Sequence, residues 1–260
     1  MSYLSRRDQN EPGKPEIQQD LGVAEWVRKE LGFKADATQA RVLETRSKRV
    51  LLNCTRQWGK STVTAARAVH EAVKNKGSLT IAVSPTARQT GEFVRKAEEF
   101  TRRLQIRVKG DGDNEISLAF PNGSRIVGLP GTEATVRGFS AVALLLIDEA
   151  SRVNDDLYVA VRPMLAVSGG TLWLMSTPYG QRGFFYEAWA NGGPTWERVS
   201  VKAEDCGRFS ASHLEEERRE MGERTYRQEY CCEFGESTSA VFSRELIEAA
   251  FTSDFGPLNL

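Results

Sequence analysis

Eight consecutive residues, Thr55-Arg56-Gln57-Trp58-Gly59-Lys60-Ser61-Thr62, follow the apolar run Val50-Leu51-Leu52 and precede an alanine-rich stretch. That order reads as a strand, a phosphate-cradling loop and the first turn of a helix. Backbone N–H groups at such a helix start aim at phosphate oxygens, Lys60 brings positive charge to the outer phosphates, and Ser61 offers magnesium a hydroxyl. A second aliphatic run, Leu144-Leu145-Leu146-Ile147, ends in Asp148-Glu149. Asp148 can reach the same magnesium through water, and Glu149 can orient and deprotonate an attacking water. The chemistry these two clusters imply is hydrolysis of a nucleoside triphosphate. The loop departs from G-x-x-x-x-G-K-[ST] at its first position, where Cys54 stands. A non-glycine residue there is expected to take a backbone conformation that glycine enters more easily.

The elements that must position these residues follow from periodicity. Leu51 to Cys54 reads as a first core strand, Leu79-Thr80-Ile81-Ala82-Val83 as a second, Leu144 to Glu149 as the acidic one and Thr171-Leu172-Trp173-Leu174-Met175 as another. Helical stretches alternate with them, which predicts an α/β fold with a mostly parallel sheet flanked by helices. The spacing predicts two short helices across residues 21–49, broken near Gly32, with Thr38-Gln39 between them. A helix runs from Gln89 to about Leu104, and another contains Val161-Arg162-Pro163-Met164-Leu165. Strands around 116–120 and 125–128 flank Pro121-Asn122-Gly123, a hairpin turn. Beyond Thr195 a strand precedes an acidic helical region with Leu214, Met221, Tyr226 and Tyr230 at helical spacing. The expected organisation is a polar arm at 1–20, a nucleotide-binding core at 21–202, a lid subdomain at 203–240 closing in Phe234, and a tail at 241–260.

Composition narrows the class. At 260 residues with 40% hydrophobic content the chain can bury a large core. It has no run of 18 apolar residues and no apolar secretion signal near Met1, so a soluble, intracellular protein without membrane contact is expected. Four cysteines without C-x-x-C spacing and two histidines favour neither a zinc site nor a disulfide framework. Charge balances at 35 basic and 35 acidic residues, but unevenly along the chain. Arg88 to Lys109 holds seven basic residues against three acidic ones, and Glu204 to Glu236 holds ten acids against five arginines. The basic segment has two readings, contact with nucleic-acid phosphates or a solvated helix face.

Two polar clusters have open readings as well. Gln39 carries an amide that can pair with a donor and an acceptor on adenine, or simply face solvent at a helix start. Ser176-Thr177-Pro178 ends the strand expected beside the acidic one, where hydroxyls can sense the terminal phosphate. As a bare strand end it is an ordinary turn.

Taken in order, Gln39, Thr-Arg-Gln-Trp-Gly-Lys-Ser-Thr, Ser84-Pro85-Thr86, Val136-Arg137-Gly138-Phe139-Ser140, Leu-Leu-Leu-Ile-Asp-Glu-Ala and Ser-Thr-Pro resemble the large subunit of tailed-bacteriophage terminases, over roughly residues 35–240. The arginine inside the phosphate loop and the Arg137-Gly138 pair carry the likeness best. It implies a P-loop ATPase core with an additional strand and a catalytic glutamate, a small C-terminal lid, ATP and magnesium as cofactors, and double-stranded DNA as the translocated partner. By the same resemblance residues 55–62 would bind nucleotide, with Lys60 and Ser61 on phosphates and magnesium. Asp148 would hold the metal, Glu149 would be the base, Gln39 would touch adenine, and Ser176, Thr177 and Pro178 would couple hydrolysis to movement. Arg137 would be the arginine finger, offered to a neighbouring subunit or pinning its own loop, and Arg56 is the competing source of that charge. The resemblance further implies a homo-oligomeric ring on the portal, monomeric in isolation, a small terminase subunit and a site of action in the host cytoplasm. Terminase nucleases need several acidic residues around metal ions, and after Val241 only Glu245, Glu248 and Asp254 occur, so no DNA cleavage is expected. Two other classes compete: a DEAD-like helicase, echoed in Asp148-Glu149-Ala150-Ser151 and Ser176-Thr177-Pro178, and a non-hydrolysing scaffold that uses nucleotide to recruit partners.

Overall fold

The structure, a computed structural model, describes residues 21–131 and 138–235. Seven strands form one sheet: β1 (Arg49–Cys54), β2 (Leu79–Ser84), β3 (Ser117–Ala119), β4 (Arg125–Pro130), β5 (Leu144–Asp148), β6 (Thr171–Ser176) and β7 (Glu197–Val201). Their spatial order is β3-β4-β2-β5-β6-β1-β7, parallel throughout except for β3, which pairs antiparallel with β4. Central parallel strands are covered on both faces, which is why β1, β2, β5 and β6 read as nearly unbroken aliphatic runs.

Side chains on a strand alternate between faces, and the core divides accordingly. Val50, Leu52, Leu146, Trp173 and Met175 share one cluster, while Leu51, Leu145, Ile147, Leu172 and Leu174 share the other. The first face is covered by α1 (Val23–Glu30), α2 (Ala37–Glu44), α3 (Lys60–Lys74) and α4 (Ala87–Arg103). Buried Ala65, Ala66, Ala68 and Ala72 let α3 approach closely. The second face is covered by α5 (Asp155–Val161), a 3-10 turn at Arg162–Leu165 and α6 (Gly183–Asn191). After β7 come α7 (Ala211–Met221) and α8 (Glu223–Glu229), divided at Gly222, whose φ is +78°.

Three local expectations are corrected. Thr38 and Gln39 lie inside α2 rather than between two helices, because Asp36 caps that helix and Gln39 completes the reciprocal capping box. The helix expected across 161–165 ends at Val161 and tightens to 3-10 geometry, since Pro163 has no N–H to give. Cys54 is still part of β1, in register with Val201, and takes no left-handed conformation. The positive φ angles fall later, at Gln57 (+61°) and Gly59 (+98°), so glycine's freedom is used immediately before α3. The 121–123 hairpin forms as expected, with Phe120 N–H donating to Ser124 O at 2.9 Å. Among the described residues no helix is long and apolar enough to cross a membrane.

Candidate nucleotide-hydrolysis site

The sheet order inserts β6 between the two strands that carry the chemistry. Met175 is in register with Leu52 of β1 on one side and with Asp148 of β5 on the other. The phosphate loop and the acidic strand end therefore lie at the same carboxyl edge, where parallel α/β sheets bind ligands.

In the loop, Trp58 turns its ring into the core at 1% exposure and leaves its backbone for other partners. Thr55 is buried and its hydroxyl donates to Glu229 O at 3.0 Å, while Arg56 and Gln57 are exposed. Lys60 is buried, and its ammonium donates to Cys54 O at 2.7 Å and Thr55 O at 3.0 Å, bent back over the loop it follows. Ser61 Oγ donates to Asp148 Oδ2 at 3.2 Å. That contact joins the loop to the acidic strand. Two neighbouring ligands of an octahedral magnesium stand about 3.0 Å apart, from bonds of about 2.1 Å, so this hydroxyl and carboxylate fit the ion. Thr62, in the first turn of α3, donates its N–H to Gly59 O at 3.0 Å.

Burial, and then the adjacent Glu149 charge, push the Asp148 carboxyl above its ordinary 3.8, against the opposing pull of Lys60 and of hydrogen bonds from Glu149 N–H and Ser61. The group is therefore destabilising when ionised without a cation. Its raised folded pKa means that stability falls as pH rises from 3.8 through the folded value and stays lower above it. Asp148→Asn should relieve that cost while keeping acceptance from Glu149 N–H, with the Ser61 hydroxyl turning to accept from the amide. The nucleotide-free variant is expected to melt higher than wild type at pH 7, a difference that shrinks as pH falls toward 3.8. Thermal melts across pH check this, and an unchanged or lower Tm at pH 7 contradicts it.

Glu149 sits left-handed, at φ +50°, between β5 and a 3-10 turn at Ala150–Arg152. Its carboxylate accepts from Arg152 Nη1 at 3.0 Å. Ser176, Thr177 and Pro178 are buried at the end of β6. Ser151 Oγ lies 2.6 Å from Ser176 Oγ and donates to Thr177 O at 2.7 Å, so the Ser-Thr-Pro segment is tied directly to the acidic turn.

Gln39 is brought to the loop, with both ends of its amide engaged. Its Oε1 accepts from Asp36 N–H at 3.1 Å, and its Nε2 donates to Trp58 O at 2.8 Å. The residue braces the loop, and an adenine edge would have to compete for the same amide. Arg137 lies outside the described residues. The basic excess of α4 is partly paired: Arg95 with Glu92, Arg102 with Glu98, and Arg103 Nη1 with Leu31 O at 2.7 Å, which favours the solvated-face reading for those three.

Several participants had no sequence signal. Glu229, at the end of α8, accepts from Arg56 Nε at 2.6 Å and from Arg152 Nη2 at 3.3 Å. Burial pushes its carboxyl up, but the Arg56 hydrogen bond and charge, helped by Gln228 and Arg152, hold it below the ordinary range. Arg208 Nη1 donates to Gln57 O at 2.8 Å, and Asn53 Nδ2 to Cys232 O at 2.8 Å. The segment after β7 is thus fastened to the phosphate loop at several points. All four cysteines are free thiols, and burial pushes Cys54 and Cys232 up to about 12.

A family profile described as "Terminase large subunit, T4likevirus-type, N-terminal" matches residues 51–249. The chain belongs to the terminase large-subunit family. Within that family it is 28% identical over 249 residues to the large subunit of Thermus phage G20c, covering 82% of this chain and 51% of that protein. The chain thus spans about half the length of that terminase. Among solved structures, the large-terminase ATPase domain of Thermus phage P74-26 superposes with a TM-score of 0.74 at 23% identity, over 83% of this chain and all of that one. The large terminase of a thermophilic bacteriophage, solved in complex with ADP, gives 0.61 at 16% identity, over 82% of this chain and 52% of that one. The sheet described above is that of the terminase ATPase fold.

Proposed function

We propose that this chain is the ATP-hydrolysing motor domain of a DNA-packaging terminase, translocating double-stranded DNA into a procapsid. The observation that carries the reading is the Ser61–Asp148 contact, with Lys60 and Glu149 on either side of it, in a chain of this family. The ADP complex of the thermophilic-phage terminase supports ATP as the nucleotide.

On this reading the N–H groups of residues 55–62 and the Lys60 ammonium take the phosphates, with Lys60 leaving the carbonyls of Cys54 and Thr55 as they arrive. Ser61 and Asp148 would hold magnesium, which would supply positive charge to the bound phosphates. Glu149 orients the attacking water and takes its proton. Arg56, at the mouth of the loop, and Arg137 compete for the role of stabilising charge on the transferring phosphoryl. Ser176-Thr177-Pro178 passes the change at the acidic turn to the rest of the sheet through Ser151. The division into a core at 21–202 and a lid from 203 belongs to this reading, as do a ring of copies on the portal, a small subunit and action in the host cytoplasm.

Phosphate release by the 260-residue chain, with and without duplex DNA and packaging partners, tests the proposal. The expected result is turnover above that of Lys60→Ala, stimulated by assembly. Turnover no higher than that variant in every condition overturns it and favours the scaffold, and strand separation without partners would make the chain a helicase.

A further inference from the structure

One side chain beside the acidic turn holds together three parts of the site that sequence keeps far apart. Arg152 is three residues beyond Glu149 and is about a quarter exposed. Its Nη1 donates to Glu149 Oε2 at 3.0 Å and reaches Thr177 Oγ1 at 3.3 Å. Its Nη2 donates to Glu229 Oε1 at 3.3 Å, across 77 positions of sequence. The guanidinium also stacks on Tyr179, 4.8 Å from the ring centroid, with Arg182 on the same ring at 4.9 Å. The planar fork of an arginine serves such a junction because its donors point in fixed directions, which a flexible ammonium cannot copy.

We propose that Arg152 is a positioning residue for hydrolysis. It fixes the orientation of the Glu149 carboxylate and makes that orientation depend on two other elements: the Ser-Thr-Pro segment, through Thr177 and Tyr179, and the C-terminal helical segment, through Glu229. Glu149 sits in a left-handed turn whose own backbone gives its carboxylate no hydrogen bond among the described contacts, so the side chain's direction comes from Arg152. Glu229 in turn holds Arg152 and Arg56 on its two oxygens, Oε1 and Oε2. Seating or lifting α8 therefore alters the base and the loop arginine together. The inference rests on the hydrolytic reading above and adds the residue that links base, coupling segment and lid.

The test measures kcat and KM for ATP in wild type, Arg152→Ala and Arg152→Lys, using the whole chain with duplex DNA. A carboxylate displaced by about 1 Å costs on the order of 100-fold in rate, so Arg152→Ala is expected to lower kcat by about 10- to 100-fold with KM within about twofold. Millimolar guanidinium should restore part of the alanine variant's kcat, and tetramethylammonium, which cannot donate hydrogen bonds, should not. Arg152→Lys should remain well below wild type, because a point charge cannot bond Glu149 and Glu229 in the same geometry. Wild-type turnover with an unchanged Arg152→Ala kcat overturns the inference and leaves the hydrolytic reading standing, as does a loss confined to KM, or a loss that guanidinium and tetramethylammonium relieve equally. Wild-type turnover equal to that of Lys60→Ala overturns the hydrolytic reading and the inference with it.

Discussion

Glu149→Gln is expected to lower ATP turnover by about 10²- to 10⁴-fold, the contribution of a positioned general base, with nucleotide affinity changed little. The substitution keeps shape and keeps an oxygen that can accept from Arg152 Nη1, so the carboxamide occupies the carboxylate's place. It loses the negative charge, and with it the ability to take a proton from water. The left-handed backbone at residue 149 is unaltered, since a glutamine meets the same steric limits as the glutamate it replaces. Steady-state phosphate release paired with equilibrium binding of a fluorescent ATP analogue separates the two effects. A variant that hydrolyses ATP at the wild-type rate would remove Glu149 from the mechanism, and with it the role argued for Arg152.

Lys60→Ala acts on binding first. The ammonium is buried, and two loop carbonyls, of Cys54 and Thr55, depend on it. Truncating one member of a buried, hydrogen-bonded charge interaction costs about 2–5 kcal/mol, so affinity for a non-hydrolysable ATP analogue should fall roughly 30-fold to several thousand-fold. Turnover should fall to background. The same change leaves the two carbonyls without their donor, which predicts a loss of about 1–3 kcal/mol in the nucleotide-free protein. Calorimetric titration and a denaturant melt read the two quantities independently. Wild-type affinity in this variant would mean that the loop does not receive the phosphates.

How much of this the sequence shows depends on how locally each feature is encoded. The strands β1, β2, β5 and β6 were legible because burial on both faces leaves only aliphatic positions, and the phosphate loop was legible because every residue it uses is contiguous. The Ser61–Asp148 meeting follows once both strand ends share one sheet edge. Glu229 was not legible: its partners lie 173 and 77 positions away, and an acidic helix offers no reason to single out one carboxylate. Arg152 carried a weak signal, three residues after Glu149, that spacing alone could not separate from a surface ion pair. The expected place of Gln39, between two helices, missed its position inside α2, because the capping box that orients it depends on where α2 begins, a boundary propensity fixes poorly. Cys54 departs from the glycine of the usual loop pattern, but as the last residue of β1 it has no need of glycine's backbone freedom.

The stretch from Glu229 to Cys232 is stitched to the end of β1 by two links, Thr55 hydroxyl to Glu229 O and Asn53 amide to Cys232 O, and to the end of the neighbouring β7 by a third, Cys232 Sγ to Val201 O. Tension applied to the chain beyond Gly235 is therefore borne within a few peptide units by the residues that lead into the phosphate loop. A load and a triphosphate would pull on the same short lever, and each would be felt by the other without any signal having to cross the sheet.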